Sequence, residues 1–318
     1  MKKLFKSDDT MAKPLQKGKY PFLLTLLIVP ILNFLIFYVV VNINSFVLAF
    51  QENVGFTEEG EVIYKASFGQ FVSIFNDWGM GGDWDLLPAL KNTMIFFFLN
   101  LLVMLPLSYL VSYFLFKKVA GHKFFRVIFF MPSILSSVVL SAIFIEFLEP
   151  GSPIDMLLRK VFNTSLNPSG YRTGYEDLMW MMIAYTIWSG FGVNVVLYSS
   201  AMRRIPDSVI EAGKLDGVGM AREMFQIVTP LVWSTILTTL TLAVCAFLTA
   251  NGPIILFEPI QGNAQGTQTI SHLIYLASKG GANLQLGAAM GIVCTIVSMP
   301  VVFSARYGLS KIFAKVEY

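Results

Sequence analysis

The 318-residue chain is too apolar and too sparsely charged for a typical water-soluble protein. Hydrophobic residues make up 55% of it, charged residues 14%, and the mean hydropathy is +0.65, whereas about a quarter of the residues in soluble domains are charged. The net charge of +3 is too small to indicate a nucleic-acid partner. The apolar residues form long runs, which indicates a protein embedded in lipid.

The cysteines and histidines suggest neither a disulfide framework nor a metal site. Cys245 and Cys294 lie within apolar runs, and His122 and His272 are far apart in the sequence. No spacing typical of a zinc site is present. We therefore expect no metal ligands and no catalytic residues in this chain.

Six apolar segments are long enough to cross a membrane as helices, for which about 20 residues are needed. The runs are continuous, whereas a β-barrel would show short alternating strands. The first run is too long for a signal peptide, so we expect it to remain as a span. The segments lie at approximately 22–48, 89–116, 127–148, 178–201, 231–256 and 284–306.

The basic residues predict that both termini are cytoplasmic. Of the 23 lysines and arginines, 17 then lie on the cytoplasmic side, as the positive-inside rule requires. We expect a cytoplasmic basic tail at 1–20, a first span with its outer loop at 21–88, and a five-span core at 89–318. The predicted fold is an all-α membrane protein in a cell membrane.

The longest cytoplasmic connection, the 203–230 loop, is predicted to form two short helices joined by a turn. Pro206 suits the beginning of a helix. Asp216 and Gly217 are typical of a turn. A second helical stretch begins at Met220 and places Met224, Phe225 and Val228 on one side. Physical chemistry alone leaves two interpretations open, a docking element or a helix lying in the lipid headgroups.

The spacing within the 203–230 loop resembles the EAA loop of binding-protein-dependent ABC importer permeases. Ile-Pro is followed by Glu-Ala-Gly at 211–213, Asp-Gly at 216–217, and later by Phe, Ile and Thr-Pro. The family pattern has Ala at position 213, Ala at 218 and Leu at 229, where this chain has Gly213, Val218 and Thr229.

Further stretches are similar to the maltose-type sugar permeases, and the extra amino-terminal span resembles the larger, first permease subunit of that subfamily. These are GHKFFRVIFFMPSILSSVV at 121–139, GPIILFEPIQGNAQGTQTISHLIYLAS at 252–278 and LQLGAAMGIV at 284–293. The resemblance covers about residues 120–300. It implies the type I ABC importer permease fold and a bacterial or archaeal cell (inner) membrane.

The resemblance also implies the partners and the absence of enzymatic chemistry in this chain. The expected partners are a second permease subunit, an ATP-binding cassette ATPase dimer, a substrate-binding protein, a sugar, and membrane lipid. ATP and Mg²⁺ would bind to the ATPase, and this chain contains no GxxxxGK[ST] phosphate loop. The residues expected to contact the ATPase or shape the loop are Glu211, Ala212, Gly213, Asp216, Gly217, Met224 and Phe225.

The later spans contain candidate sugar contacts. Tyr185, Trp188 and Ser189 share one helix face, and Asn194, Thr249 and Asn251 follow them. Aromatic rings with hydroxyl and amide partners suit a pyranose, although small polar residues also mediate helix packing in membranes.

Two other classes of protein fit the sequence less well. An ion-coupled secondary transporter is the main alternative, but neither membrane-embedded acids nor an internal repeat stands out in the sequence. An intramembrane enzyme would require paired acids or an H-E-x-x-H motif, and the spans contain neither.

Overall fold

The computed structural model describes residues 19–56, 62–76, 86–149, 151–162, 175–190, 192–250, 252–261, 266–279 and 283–311. Asn251, most of the 1–20 tail, and part of the first outer loop lie outside the described residues. The expectations made for them therefore stay predictions.

The first half of the chain contains a long apolar helix, a β-hairpin and a second long helix. Phe34–Val40 and Leu99–Met104 are π-helical segments that continue the helices on either side of them. The elements are α1 (Lys19–Asn33), α2 (Val41–Ala49), β1 (Gln51–Phe56), β2 (Val62–Ala66), α3 (Gly69–Asn76), α4 (Leu86–Phe98), α5 (Leu105–Phe116), α6 (His122–Ile134), α7 (Ser137–Leu148) and α8 (Pro153–Phe162).

In the second half, all regular elements among the described residues are helices joined by short turns. It contains one π-helical segment, Glu223–Val228. Its helices are α9 (Tyr175–Gly190), α10 (Gly192–Met202), α11 (Asp207–Leu215), α12 (Met220–Arg222), α13 (Thr229–Leu231), α14 (Trp233–Cys245), α15 (Ile254–Gln261), α16 (Ile270–Ser278) and α17 (Leu284–Ser310).

Four helical segments are long and apolar enough to cross a membrane without a sharp bend. They are Leu24–Ala49, Leu86–Phe116, Leu178–Met202 and Leu284–Ser310, and each overlaps a predicted span. The described residues therefore contain four candidate spans, or up to six when each of two bent helix pairs is taken as one span.

The third predicted segment contains a sharp bend, and the fifth begins at one. α6 and α7 meet at an angle of 108°, and the helix Met220–Leu231 meets α14 at 79°. Pro132 lies inside α6, and Pro230 lies just before the second bend. Proline removes a helical hydrogen bond and clashes with the preceding turn, which favours bends at these positions. α14 also ends at Cys245, well before the predicted end of the fifth span at 256.

The expectation of an all-α protein also needs a correction, because β1 and β2 form a small antiparallel sheet between the first two long helices. Gln51 pairs with Ala66 and Glu52 with Lys65, and the register shifts between Asn53 and Gly55. The sequence analysis treated this region only as an outer loop.

The buried side chains form several clusters. One joins α2, α3 and α4 to α16 and α17, and a second joins Phe96 and Leu140 to α9 and α15. A third joins Tyr113 and Tyr198 to the residues that follow α10. By contrast, the most apolar 18-residue stretch within Leu24–Ala49 contains no buried residue. A helix that is apolar all round and unburied in its own chain suits a lipid or protein neighbour.

Candidate functional site

The 203–230 loop forms two helical arms joined by a tight turn. Val218 N–H donates to the Gly213 carbonyl at 3.0 Å, and Gly217 N–H donates to the Lys214 carbonyl at 3.1 Å. This pair of hydrogen bonds is a Schellman motif, which ends a helix with a residue in the left-handed conformation. Gly217 takes that position with φ +70°. The predicted turn at 216–217 is therefore confirmed, with Gly217 as the residue that permits it.

The two arms pack closely on each other. Ile210 and Gly213 are buried on the inner side of α11. A Cβ on Gly213 would lie 2.8 Å from Cδ1 of Ile227 in the second arm. The family pattern has alanine at this position. Glycine leaves room for the Ile227 side chain, so the two arms can pack closely.

The opposite side of α11 and its turn is exposed. Glu211, Ala212, Asp216 and Gly217 are all exposed, and Leu215 is 89% exposed. An apolar side chain so fully exposed at the tip of a charged helix is suited to insertion into a partner protein.

Phe225 and Met224 point to different sides of the second arm. Phe225 is 61% exposed, whereas Met224 is half-buried and packs with the cluster around Tyr113 and Tyr198. Val228 is fully buried in the same cluster. The expectation that Met224, Phe225 and Val228 share one side was therefore wrong. The π-helical backbone has more residues per turn than an α-helix, which changes the spacing on which that expectation depended.

A buried ion pair attaches the second arm to the end of α5. Glu223 is 3% exposed. Its two carboxylate oxygens each accept a hydrogen bond from Lys117 Nζ at 2.9 Å. The Tyr113 hydroxyl donates to Glu223 Oε1 at 3.3 Å and lies 3.0 Å from the Met220 carbonyl.

A second polar contact to α5 lies one helical turn away. The Tyr109 hydroxyl and Thr229 Oγ1 are 2.7 Å apart. Tyr109 also stacks edge-on against Tyr198 of α10, with ring centroids 5.6 Å apart. The second arm is therefore fixed to α5 at two points, and through Tyr198 to α10.

Sequence reasoning missed Glu223, Lys117, Tyr113 and Tyr109. The sequence offers only two hints of this ion pair, a lysine at the end of one apolar segment and an acid within the 203–230 loop. Nothing in a single sequence pairs two residues separated by 106 positions.

A cavity of about 480 Å³ lies among the long helices, between the π-helical segment 99–104, α10 and α14. Two of the predicted sugar contacts, Asn194 and Thr249, line it, together with Asn100, Thr186 and Thr239, which the sequence analysis did not select. The aromatic rings of Phe96 and Phe97 form part of its wall. The cavity thus offers amide, hydroxyl and aromatic groups to one ligand.

The other described candidates lie outside this cavity. Tyr185 is 4% exposed, and its hydroxyl donates to the Ser137 carbonyl at 3.2 Å. Trp188 stacks on Phe144 with centroids 5.6 Å apart. Ser189 donates to the Tyr185 carbonyl of its own helix at 2.8 Å. In this conformation Tyr185 and Trp188 join α9 to α7, whereas Ser189 bonds within α9. Asn251 lies outside the described residues.

Comparison with solved structures gives the fold. The chain is similar to a subunit of a bacterial ABC transporter involved in the import of the acidic polysaccharide alginate, with a TM-score of 0.76. The match covers 93% of this chain and 98% of that one at 22% identity, which establishes a common fold.

Curated relatives are similar at about the same level along most of the chain. The arabinooligosaccharides transport system permease protein AraP of Bacillus subtilis (strain 168) is 26% identical over 85% of this chain and 83% of its own length. The sn-glycerol-3-phosphate transport system permease protein UgpA of Salmonella typhi is 26% identical over 76% of this chain and 79% of its own.

The family assignment depends on a match that covers more than half of the chain. Residues 104–311 match the family described as binding-protein-dependent transport system inner membrane component. That region contains the 203–230 loop, its two anchoring contacts to α5, and most of the cavity lining. The chain belongs to this family and is a multi-pass membrane permease of the ABC importer type, not an enzyme.

Proposed function

We propose that this chain is one of two permease subunits of an ATP-driven importer for di- or oligosaccharides. In this proposal the chain crosses the membrane six times, with the two bent helix pairs counted as spans and both termini in the cytoplasm. The asymmetry of lysine and arginine supports this orientation. The 203–230 loop then lies on the cytoplasmic side, where an ATPase can reach it.

The observation that carries the proposal is the way the 203–230 loop is built. Its outer side presents Leu215 and Phe225 to a partner. Its inner side is tied to α5 through the Glu223–Lys117 pair and the Tyr109–Thr229 contact. A rigid element with one exposed and one anchored side can transmit the closure of an ATPase to the helices as a rigid-body movement.

The proposed division of labour leaves the chemistry to the partner. ATP and Mg²⁺ bind to an ATPase dimer, and an extracellular binding protein delivers the substrate. Glu211 makes polar contacts at the ATPase surface, and Leu215 and Phe225 enter its apolar cleft. Met224, with its half-buried side chain, instead stabilises the contact with α5 and α10.

The substrate proposal draws on the cavity and on the relatives. Asn100, Asn194 and Thr249 can exchange hydrogen bonds with sugar hydroxyls, while Phe96 and Phe97 offer faces to a pyranose ring. Relatives named for arabinooligosaccharide and sn-glycerol-3-phosphate transport support a polyhydroxylated substrate.

The test is to purify the chain with its native partners in mild detergent, wild type beside Gly217→Pro. Proline cannot adopt φ +70° and lacks the N–H that bonds to Lys214. We expect wild type to recover an ATP-binding subunit and a second permease. Gly217→Pro should insert normally but show weak ATPase recovery, or ATP hydrolysis uncoupled from uptake.

Gly219→Ala is the matched control. Gly219 has φ −71°, and no atom lies within 4 Å of an added Cβ, so this variant should behave as wild type. Recovery of no ATPase with wild type, or normal transport by Gly217→Pro, would contradict the proposal. Uptake that follows an ion gradient without the ATPase would indicate a secondary transporter instead.

A further inference from the structure

A second cavity, of about 600 Å³, lies where the end of α5, the beginning of α6 and helix α11 meet. It is separate from the cavity proposed for the sugar, because no lining residue is common to the two. Its most distinctive lining residues are four cations: Lys118, Arg126, Arg203 and Lys214.

The four cations are poorly neutralised by the described part of the chain. Asp207 is the one acid among the described lining residues. Lys117 also lines the cavity, but Glu223 already neutralises it. None of the four forms an ion pair with any residue that the structure describes. Arg126 and Arg203 are close enough for their like charges to repel each other.

The backbone at Lys118, one of the four cations, has an unusual conformation. Lys118 has φ +54°, the only positive φ among the non-glycine residues that the structure describes. It follows the last turn of α5, a position where glycine is usual. This conformation is unfavourable for L-residues other than glycine. Strain of this kind is often found at functional positions.

Helix α6, which begins at this cavity, also has an exposed apolar side. Phe124 is 66% exposed, Val127 is 65% exposed and Met131 is 52% exposed. These three residues lie on one side of the helix that also contributes Arg126 to the cavity. One helix therefore contributes to a cationic cavity at its beginning and offers an exposed apolar side suited to hydrocarbon chains.

We propose that this cavity binds a phosphate group, and that the source is the headgroup of an anionic phospholipid whose acyl chains lie along α6. Arginine and lysine side chains complement phosphate charge and geometry. Basic pockets between helices at the cytoplasmic membrane surface are known to receive such headgroups. The proposal concerns binding, so it can hold or fail independently of the coupling role proposed for the 203–230 loop.

The experiment is a titration of the purified full chain with phosphatidylglycerol or phosphatidylcholine, followed by native mass spectrometry. We expect wild type to retain phosphatidylglycerol in preference to phosphatidylcholine. The double variant Arg126→Gln/Arg203→Gln should lower the apparent affinity for phosphatidylglycerol about thirtyfold, from two lost headgroup contacts.

Two further variants separate the site from general effects. Lys118→Gly removes one cation but suits the left-handed backbone, so it should fold normally and weaken phosphatidylglycerol binding about fivefold. Arg306→Gln removes an exposed arginine near the end of α17, away from the cavity lining, and should leave binding unchanged.

Inorganic phosphate identifies the source of the ligand. Wild-type chain that binds inorganic phosphate in the cavity, with no preference for phosphatidylglycerol, would support the phosphate site but overturn the lipid as its source. Three results would overturn the proposal. The first is equal binding of both lipids together with no binding of inorganic phosphate. The others are unchanged binding by the double variant, or a weakening by Arg306→Gln as large as that by the double variant. Exclusion of lipid by the ATPase in the assembled complex would also overturn it, and would assign the cations to a protein interface.

Discussion

Glu223 and Lys117 are the residues whose contact most constrains the 203–230 loop. A carboxylate that is 3% exposed needs a partner, because an unpaired buried charge is costly. Lys117 supplies that partner with two hydrogen bonds of 2.9 Å, and Tyr113 adds a third. Such a pair specifies one arrangement of the loop on α5.

The Glu223–Lys117 pair predicts a clear pattern of stabilities. Removing one partner by Glu223→Gln or Lys117→Met should destabilise the protein by about 3 kcal/mol, since the remaining charge is left unpaired. The double variant Glu223→Gln/Lys117→Met should recover more than half of that loss, because no unpaired charge remains. Melting temperatures in detergent measure the stability of all three variants. A double variant that loses as much as the two single variants together would contradict the ion pair.

The same variants should also affect coupling. The double variant regains stability but lacks the charged link between the 203–230 loop and α5. We therefore expect it to hydrolyse more ATP per sugar imported than wild type in reconstituted vesicles. An unchanged ratio would indicate that apolar packing by Met224 and Val228 is sufficient to transmit the movement.

At the scale of elements, the long spans could be predicted and the bends could not. Hydropathy alone identifies helices such as Leu284–Ser310, because lipid requires about 20 apolar residues. The bend of 108° between α6 and α7 depends on how Pro132 and the extended Leu135 are packed. Proline indicates where a bend is possible, but the angle depends on tertiary contacts.

Some features of the candidate site could likewise be predicted from the sequence, and others could not. The turn at Gly217 could be predicted, because Asp-Gly has local conformational preferences. The separation of Met224 from Phe225 could not, because it depends on a π-helical backbone that has no clear local signal. Likewise, Asn100 joins Asn194 and Thr249 in one cavity only through the packing of three distant segments.

The cavity between α10 and α14 predicts which side chains contact the sugar. Asn194→Ala and Thr249→Val should each raise the KM for transport about fivefold to tenfold, as expected for one lost hydrogen bond. Thr238→Val is the matched control, because Thr238 is exposed on α14 and bonds to its own helix. Equal effects of Thr238→Val and Thr249→Val on the KM would assign these threonines to helix packing.

At the scale of the whole molecule, the proposed topology places the β-hairpin and the 203–230 loop on opposite sides of the membrane. In a background with Cys245→Ser and Cys294→Ser, we expect Val54→Cys to react with a membrane-impermeant maleimide in intact cells or spheroplasts. Leu215→Cys should react only after the membrane is permeabilised. Both side chains are well exposed, at 62% and 89%, so labelling of both cysteines from the same side would contradict the topology.

Photo-cross-linking shows whether the 203–230 loop contacts an ATPase. A photoreactive p-benzoylphenylalanine in place of Leu215, in the complex assembled with native partners, should cross-link to the ATP-binding subunit. The same residue in place of Phe124, which is exposed on α6, should not. Cross-links from position 215 to lipid alone would contradict the account, and would make the loop a membrane-surface element.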